Sequence, residues 1–186
     1  YLQGSSYQTL ILIEGPDTRG IDVALMSRLP QAEPPQLHLI PWKGANAEDQ
    51  KWMQKSRGIL QSNLRLPDGQ TLTVFSIHFP SPSNPLYWRE QAIAHLVKIK
   101  SELPPGRMFL AGGDFNIAAE EEKSVGLYRK KLAEEFQVSH LIGCKGCQGT
   151  NYYHSKQSWS FLDALLFSKH MTADGTANWY VEPDSV

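Results

Sequence analysis

The sequence predicts an α/β protein with more strand than helix. A strand–helix–strand succession runs from Gln70 to Ala111, short β-favouring apolar runs alternate with Gly, Pro and Asp turn chemistry, and only two segments carry helical periodicity. Of 186 residues 41% are hydrophobic and 20% charged, with a formal charge of −1. That balance excludes a disordered, collagen-like or coiled-coil chain and argues against a strongly basic nucleic-acid coat, while allowing an enzyme that grips a few phosphates. The longest apolar runs, Leu10–Ile13 and Ala164–Phe167 among them, have four residues and fall far short of the roughly 20 residues of a membrane span. A soluble, single domain over 1–186 is expected.

Thr9–Glu14 and Gly20–Ser27 read as an antiparallel pair around the turn Gly15-Pro16-Asp17-Thr18-Arg19. A third strand is expected at Gln36–Pro41, after a Pro-rich loop over Pro30–Pro35, and Lys43–Lys55 as a loop or short surface helix. Pro67-Asp68-Gly69 joins strands Gly58–Leu66 and Gln70–His78 in a hairpin. Asn84 offers a helix N-cap, and Pro85 starts an amphipathic helix with Leu86, Ile93, Leu96, Val97 and Leu103 on its apolar side. Pro104-Pro105-Gly106 stops it before a strand over Arg107–Ala111. This succession predicts a parallel crossover that opens His78 and Asp114 on one sheet edge. A second helix is expected over Ser124–Phe136, and one strand over Ser158–Ser168 with Asp163 set among apolar neighbours.

Ala111-Gly112-Gly113-Asp114-Phe115-Asn116 carries the most chemistry. Its glycines let backbone approach a ligand, and a carboxylate two residues from an amide can orient a water or help hold a cation. The same residues could merely cap a turn. His78, in Ser76-Ile77-His78-Phe79-Pro80-Ser81, is alone more often structural than catalytic. Asp163 inside an apolar strand must be paired, hydrogen-bonded or metal-bound, because burying it alone costs several kcal/mol (about 3 or more).

Arg19-Gly20-Ile21-Asp22-Val23-Ala24-Leu25, Ser76–Ser81, Gly113-Asp114-Phe115-Asn116 and Ser158-Trp159-Ser160-Phe161-Leu162-Asp163 come in the order and spacing of a family. Over nearly its whole length the chain resembles the endonuclease/exonuclease/phosphatase superfamily, the deoxyribonuclease-I-like hydrolases. The resemblance implies two packed mixed β-sheets flanked by helices in a four-layer sandwich, and phosphate-ester hydrolysis with Mg2+, Mn2+ or Ca2+. It implies that His78 contacts the scissile phosphate, Asp114 activates the attacking water, Asn116 helps hold the phosphate and Asp163 orients the centre.

The family also has a metal-binding Glu before the Arg-Gly-Ile-Asp segment and a late Ser-Asp-His motif. Glu14 lies in the wrong place for the first, and His170 and Asp174 lack the context of the second. The metal ligands therefore stay unassigned. A fragment or a degenerate relative is expected, with exposed sheet edges and apolar faces. The leading reading is a phosphodiesterase or endonuclease. A non-catalytic binding module of the same fold is the alternative, as is a phosphatase or phospholipase-type relative acting on small or lipid phosphates. Compartment and oligomeric state stay open.

Arg19 and His154 are the candidate substrate contacts, His154 because the resemblance puts Asn151-Tyr152-Tyr153-His154 on the active-site side. Arg28 and Arg57 suit phosphate by their guanidinium forks, with solvated surface arginines as the default. Cys144-Lys145-Gly146-Cys147, near His140 and His154, has loose spacing for zinc. A local disulfide or two loop thiols rank above it. Trp88, Arg89 and Glu90 read as helix-start packing and electrostatics, and Glu120-Glu121-Glu122 as a solvated stretch.

Overall fold

The Pro-Asp-Gly turn joins β4 (Ile59–Arg65) to β5 (Thr71–His78) in an antiparallel hairpin at the centre of the molecule. From there the computed structural model, which describes residues 6–143 and 146–169, extends a mixed sheet of six strands. Helix α2 (Leu86–Ser101) carries the chain back so that β6 (Met108–Asp114) lies parallel to β5, with His78 opposite Asp114. This is the expected crossover. Strand β10 (Asp163–Phe167) pairs antiparallel with β6, and β7 (Gln137–Val138) and β3 (Gln31–His38) form the edges.

Alternation along the strands separates two packing faces. Phe75 and Ile77 of β5, Phe109 and Ala111 of β6 and Ala164 and Leu166 of β10 pack under α2, against Trp88, Ala92, Leu96 and Ile99. Leu72, Val74 and Phe167 face the other way. On that side the antiparallel pair β1 (Thr9–Leu12) and β2 (Ala24–Ser27) forms a second sheet, joined to the first through Ile11, Val23 and Leu60. The outer face of this pair leaves Leu10, Leu12 and Met26 more than half exposed, as expected of an apolar face without cover.

Several expectations give way. Most of the Pro30–Pro35 segment, from Gln31 on, lies within β3 instead of forming a loop. Pro34 and Pro35 lack the N–H of a ladder, and an edge strand with register shifts at Glu33 and Gln36 tolerates them. Helix α1 (Ala47–Met53) occupies the segment read as loop or short helix, capped by the Asn46 side chain, which accepts from the Asp49 N–H. Pro85 takes the N-cap position of α2; the Asn84 amide instead donates to the carbonyl and hydroxyl of Ser81.

The segment read as one helix over Ser124–Phe136 divides. Helix α3 (Ala119–Ser124) ends before Gly126 at φ 74°, and a π-helical turn follows over Leu127–Leu132. The long strand over Ser158–Ser168 also breaks: β9 (Ser158–Ser160) pairs with β8 (Asn151–Tyr153) in a separate hairpin, and β10 begins only at Asp163. Apolar continuity hid both interruptions, because periodicity reads composition and cannot see a change of sheet.

Arg89 and the acidic run also differ from expectation. Arg89 is completely buried and its five donors are spent: on both carboxylate oxygens of Glu121 and on the carbonyls of Pro80, Ser81 and Asn84. Glu122 accepts from the backbone N–H groups of Tyr128 and Arg129. Only Glu120 of the three is exposed, where it meets Lys156 at 3.1 Å. Glu121→Ala, which strands the Arg89 charge in the core, is expected to lower stability by about 3 kcal/mol in urea denaturation. An unchanged midpoint would show that the pair contributes nothing.

His140 stacks on Phe161 at 4.1 Å between ring centroids and meets Tyr128 edge-on at 4.5 Å. Burial, with Arg129 second, pushes its pKa down to about 4. Burial and then His38 lower that of His95, whose ring nitrogens are both buried without a partner. The folded state thus prefers neutral imidazoles, whereas unfolded ones charge near pH 6.5. Stability is full above about pH 6.5 and declines as pH falls toward 4. Thermal unfolding at pH 7 and pH 5 should show this, and His140→Phe should reduce the difference; an equal difference in the variant would remove His140 from the cause.

Candidate functional site

His78, Asp114 and Asp163 stand side by side on three neighbouring strands. His78 is the register partner of Asp114 across the parallel β5–β6 pair, and Asp163 the partner of Asp114 across the antiparallel β6–β10 pair. By strand alternation all three point to the face that carries Leu72, Val74 and Phe167. His78 Nε2 lies 3.8 Å from Asp114 Oδ2, with each side chain about one third exposed. That gap is too wide for a hydrogen bond and leaves both groups free to meet a third.

Gly113 makes the row possible. Its φ is 136°, and a Cβ there would lie 2.0 Å from the Ile77 carbonyl oxygen, so β6 can run against β5 at this point only without a side chain. Beyond it Asn116 adopts φ 53°; its N–H donates to Asp114 Oδ1 at 2.8 Å and its amide to the Phe79 carbonyl at 2.9 Å. Asn116 thus braces the Asp114 carboxylate and the segment after His78. The premise for Asp163 is corrected: the residue is exposed, at the first position of β10, with its N–H donating to Thr150 Oγ1. The apolar run around it mixes two environments, which is why it looked buried.

Burial raises the Asp114 pKa, with the Asp163 charge adding to it and the Asn116 N–H opposing. Burial lowers that of His78, helped by the positive fields of Arg57 and Arg19, so its imidazole is neutral at pH 7. Arg57 is the functional-region residue that sequence reasoning misjudged. It is buried, not solvated: Nη1 meets Asp17 Oδ2 at 2.8 Å and Nε donates to the His78 carbonyl at 3.2 Å. Asp17 is itself buried and accepts from the Nε, Nη2 and backbone N–H of Arg19. No local signal links positions 40 residues apart in the chain. Arg28 stays on the surface over the Tyr7 ring, away from this group.

Two clefts lie near the row and share Ser81, although His78, Asp114 and Asp163 line neither. One of about 450 Å³ is lined by Asp17, Arg19, Trp52, Lys55 and Arg57. The other, about 740 Å³, is lined by Tyr152, Tyr153, His154 and Lys156 of the β8–β9 hairpin together with Leu162, next to Asp163. His154 meets Tyr152 edge-on at 4.9 Å. The structure therefore brings Arg19 and His154 to two different clefts.

Among the described residues no group of three or more His, Cys, Asp or Glu side chains is placed to hold a metal ion. Glu14 is not part of the row. Cys147 is disulfide-bonded, in line with the ranking of a local disulfide above zinc. Cys144, His170 and Asp174 lie outside the described residues. No described helix is long and apolar enough to cross a membrane.

No family model and no curated protein matches the sequence. Solved structures do match. TDP2 of D. rerio, complexed with a single-strand DNA product, is 18% identical and has a TM-score of 0.61 over 90% of this chain. An endonuclease/exonuclease/phosphatase of Beutenbergia cavernae is 14% identical, with a TM-score of 0.63 over 90% of the chain. The fold is the deoxyribonuclease-I-like one. A mannosyl-6-phosphatase of Bacteroides thetaiotaomicron shares it at 15% identity and a TM-score of 0.55 over 86% of the chain. The chain spans 65%, 48% and 63% of the lengths of these three proteins.

The Asp17 carboxylate, with its pKa brought down to about 2 chiefly by the Arg19 side chain, stays ionised across the working range. Because the folded value lies below the unfolded one near 4, this stabilisation is full above about pH 4 and lost as pH falls toward 2. Asp17→Asn is expected to remove about 2 kcal/mol at pH 7 and to flatten acid unfolding in that window. Wild-type acid sensitivity in the variant would argue against it.

Proposed function

We propose that the chain is a divalent-metal-dependent phosphodiesterase that cleaves its ester with an activated water. The observation that carries this is the alignment of His78, Asp114 and Asp163 at one sheet edge, with His78 and Asp114 each about one third exposed. The family resemblance and the hydrolases that share the fold support it. A phosphodiester needs an aligned water, a base and neutralisation of charge, and little covalent machinery.

The donor chemistry fits magnesium. Residues directly opposite on antiparallel strands have Cβ atoms about 4.5–5.5 Å apart, so Asp114 and Asp163 form a paired oxygen set, and magnesium commonly takes only one or two carboxylates from a protein. Burial raises the Asp114 pKa and repulsion from Asp163 adds to it, a cost that a cation would relieve. When bound, the ion neutralises phosphate charge and orients substrate. The neutral His78 donates its ring N–H to a non-bridging phosphate oxygen. Asp114, braced by the Asn116 N–H and made more basic by burial, takes a proton from the attacking water. The water oxygen bonds to phosphorus, the opposite P–O bond breaks, and the released alkoxide takes a proton from solvent to leave as an alcohol. Arg57 and Arg19 add positive field on the His78 side.

A non-catalytic module is the second reading, favoured by the lack of a three-ligand cluster among the described residues. Magnesium-dependent hydrolysis of plasmid DNA and of bis-p-nitrophenyl phosphate separates the two. The expected outcome is turnover that falls about 100-fold or more in His78→Ala and in Asp114→Asn. Hydrolysis that persists in both variants, or no hydrolysis by the folded wild type, would overturn the enzyme reading.

A further inference from the structure

The cleft on the His78 side has a charge that folding alone does not explain. Arg19, Lys55 and Arg57 bring three cations to it, and Asp17 is the one carboxylate among its lining residues. Arg57 is more than nine-tenths buried, its side chain only 8% exposed, yet it shares its counter-charge with Arg19. Two guanidinium groups on a single carboxylate leave one positive charge uncompensated, and a buried charge is costly unless something answers it. The Asp17 carboxylate also immobilises Arg19 through Nε and Nη2, although the Arg19 side chain is 66% exposed. A fork held rigid at the surface is suited to a bidentate anion.

Trp52 supplies a second kind of surface. Helix α1 holds its ring 58% exposed on the cleft wall, with the Lys55 ammonium 5.0 Å from its centroid. The helix cannot easily swing away, because Asp49 accepts from the Trp88 indole N–H at 3.0 Å and from the Tyr87 hydroxyl of α2. An exposed flat ring beside fixed cations is the arrangement that stacks a base and grips its phosphate. Arg57 ties the cleft directly to the row by its bond to the His78 carbonyl.

Resting on the hydrolase reading above, we infer that this cleft binds a second phosphate of the substrate, carried on a nucleoside whose base lies on Trp52. The ester cleaved at the row is then one link of a nucleotide chain, with Arg19, Lys55 and Arg57 holding the phosphate next to it.

Calorimetric titration without divalent metal tests this apart from catalysis, because the charged Asp114 and Asp163 disfavour an anion at the row itself. Thymidine 5′-monophosphate should bind the wild type and thymidine should not. Lys55→Glu should weaken binding about tenfold or more, and Trp52→Ala should bring the nucleotide down to the affinity of inorganic phosphate. No binding, or equal binding by Lys55→Glu with an unchanged melting temperature, would overturn the site. Inorganic phosphate binding the wild type as tightly as the nucleotide would overturn the nucleotide assignment. In turnover, 5′-phosphorylated dithymidine should show a lower KM than unphosphorylated dithymidine at similar kcat, a difference that Lys55→Glu abolishes. Absence of turnover with intact nucleotide binding would fail the hydrolase reading alone; turnover without a phosphate preference would fail the cleft alone.

Discussion

One buried charge governs how this chain closes around its site. Arg89 points from α2 into the core and spends every donor of its fork on groups that have no other reason to meet. The carbonyls of Pro80, Ser81 and Asn84 belong to the loop that leaves β5 just after His78, and Glu121 belongs to α3, which follows Asn116. A lysine could not replace it, because one ammonium cannot span three carbonyls and a carboxylate in a plane. The loop so held carries Ser81, which lines both clefts. The walls of both clefts therefore depend on a side chain that lines neither.

Within that frame, strand periodicity does the placing. Parallel strands joined by a helix end on the same edge, and residues of equal parity share a face, so His78 and Asp114 meet because β5 and β6 are in register. Gly113 lets the strands approach, and Phe79 N–H donates to the Asp114 carbonyl at 2.8 Å just beyond the row. The backbone, more than any side-chain contact, fixes the spacing of His78 and Asp114.

What was legible in the sequence follows from the range of the interactions involved. The hairpin at Pro67-Asp68-Gly69, the crossover helix and the meeting of His78 with Asp114 were readable because turn chemistry and periodicity are local. Motif order singles out Asp163, although its apolar neighbours suggest a burial that the structure does not have. Arg57 and Asp17 were not legible as a pair, nor Arg89 with Glu121, since ion pairs between distant segments leave no trace in spacing. The divided strand at Phe161-Leu162 was hidden for a related reason: both residues are apolar, and their departure from the ladder is imposed from outside.

That imposition joins the β8–β9 hairpin to the His78, Asp114 and Asp163 row. The Leu162 carbonyl accepts from the N–H of Phe115 at 2.8 Å and of Asn116 at 3.2 Å, and the Phe161 carbonyl accepts from the Tyr128 hydroxyl at 2.8 Å. The Ala119 N–H donates to Ser160 Oγ at 3.0 Å. These bonds pin the break between β9 and β10 to the segment that carries Asp114. Burial keeps the Tyr128 phenol protonated, reinforced by the charges of Asp114 and Asp163, so it remains a donor. Had the run continued as one strand, the aromatic hairpin would extend the central sheet and Asp163 would lie in mid-strand. With the break, Asp163 opens β10 beside Asp114, and the hairpin with Tyr152, Tyr153 and His154 turns out to wall the neighbouring cleft. The hairpin and the row therefore share one hydrogen-bonded joint, and a displacement of the hairpin would be felt at Asp163 and Asn116 through two carbonyl groups.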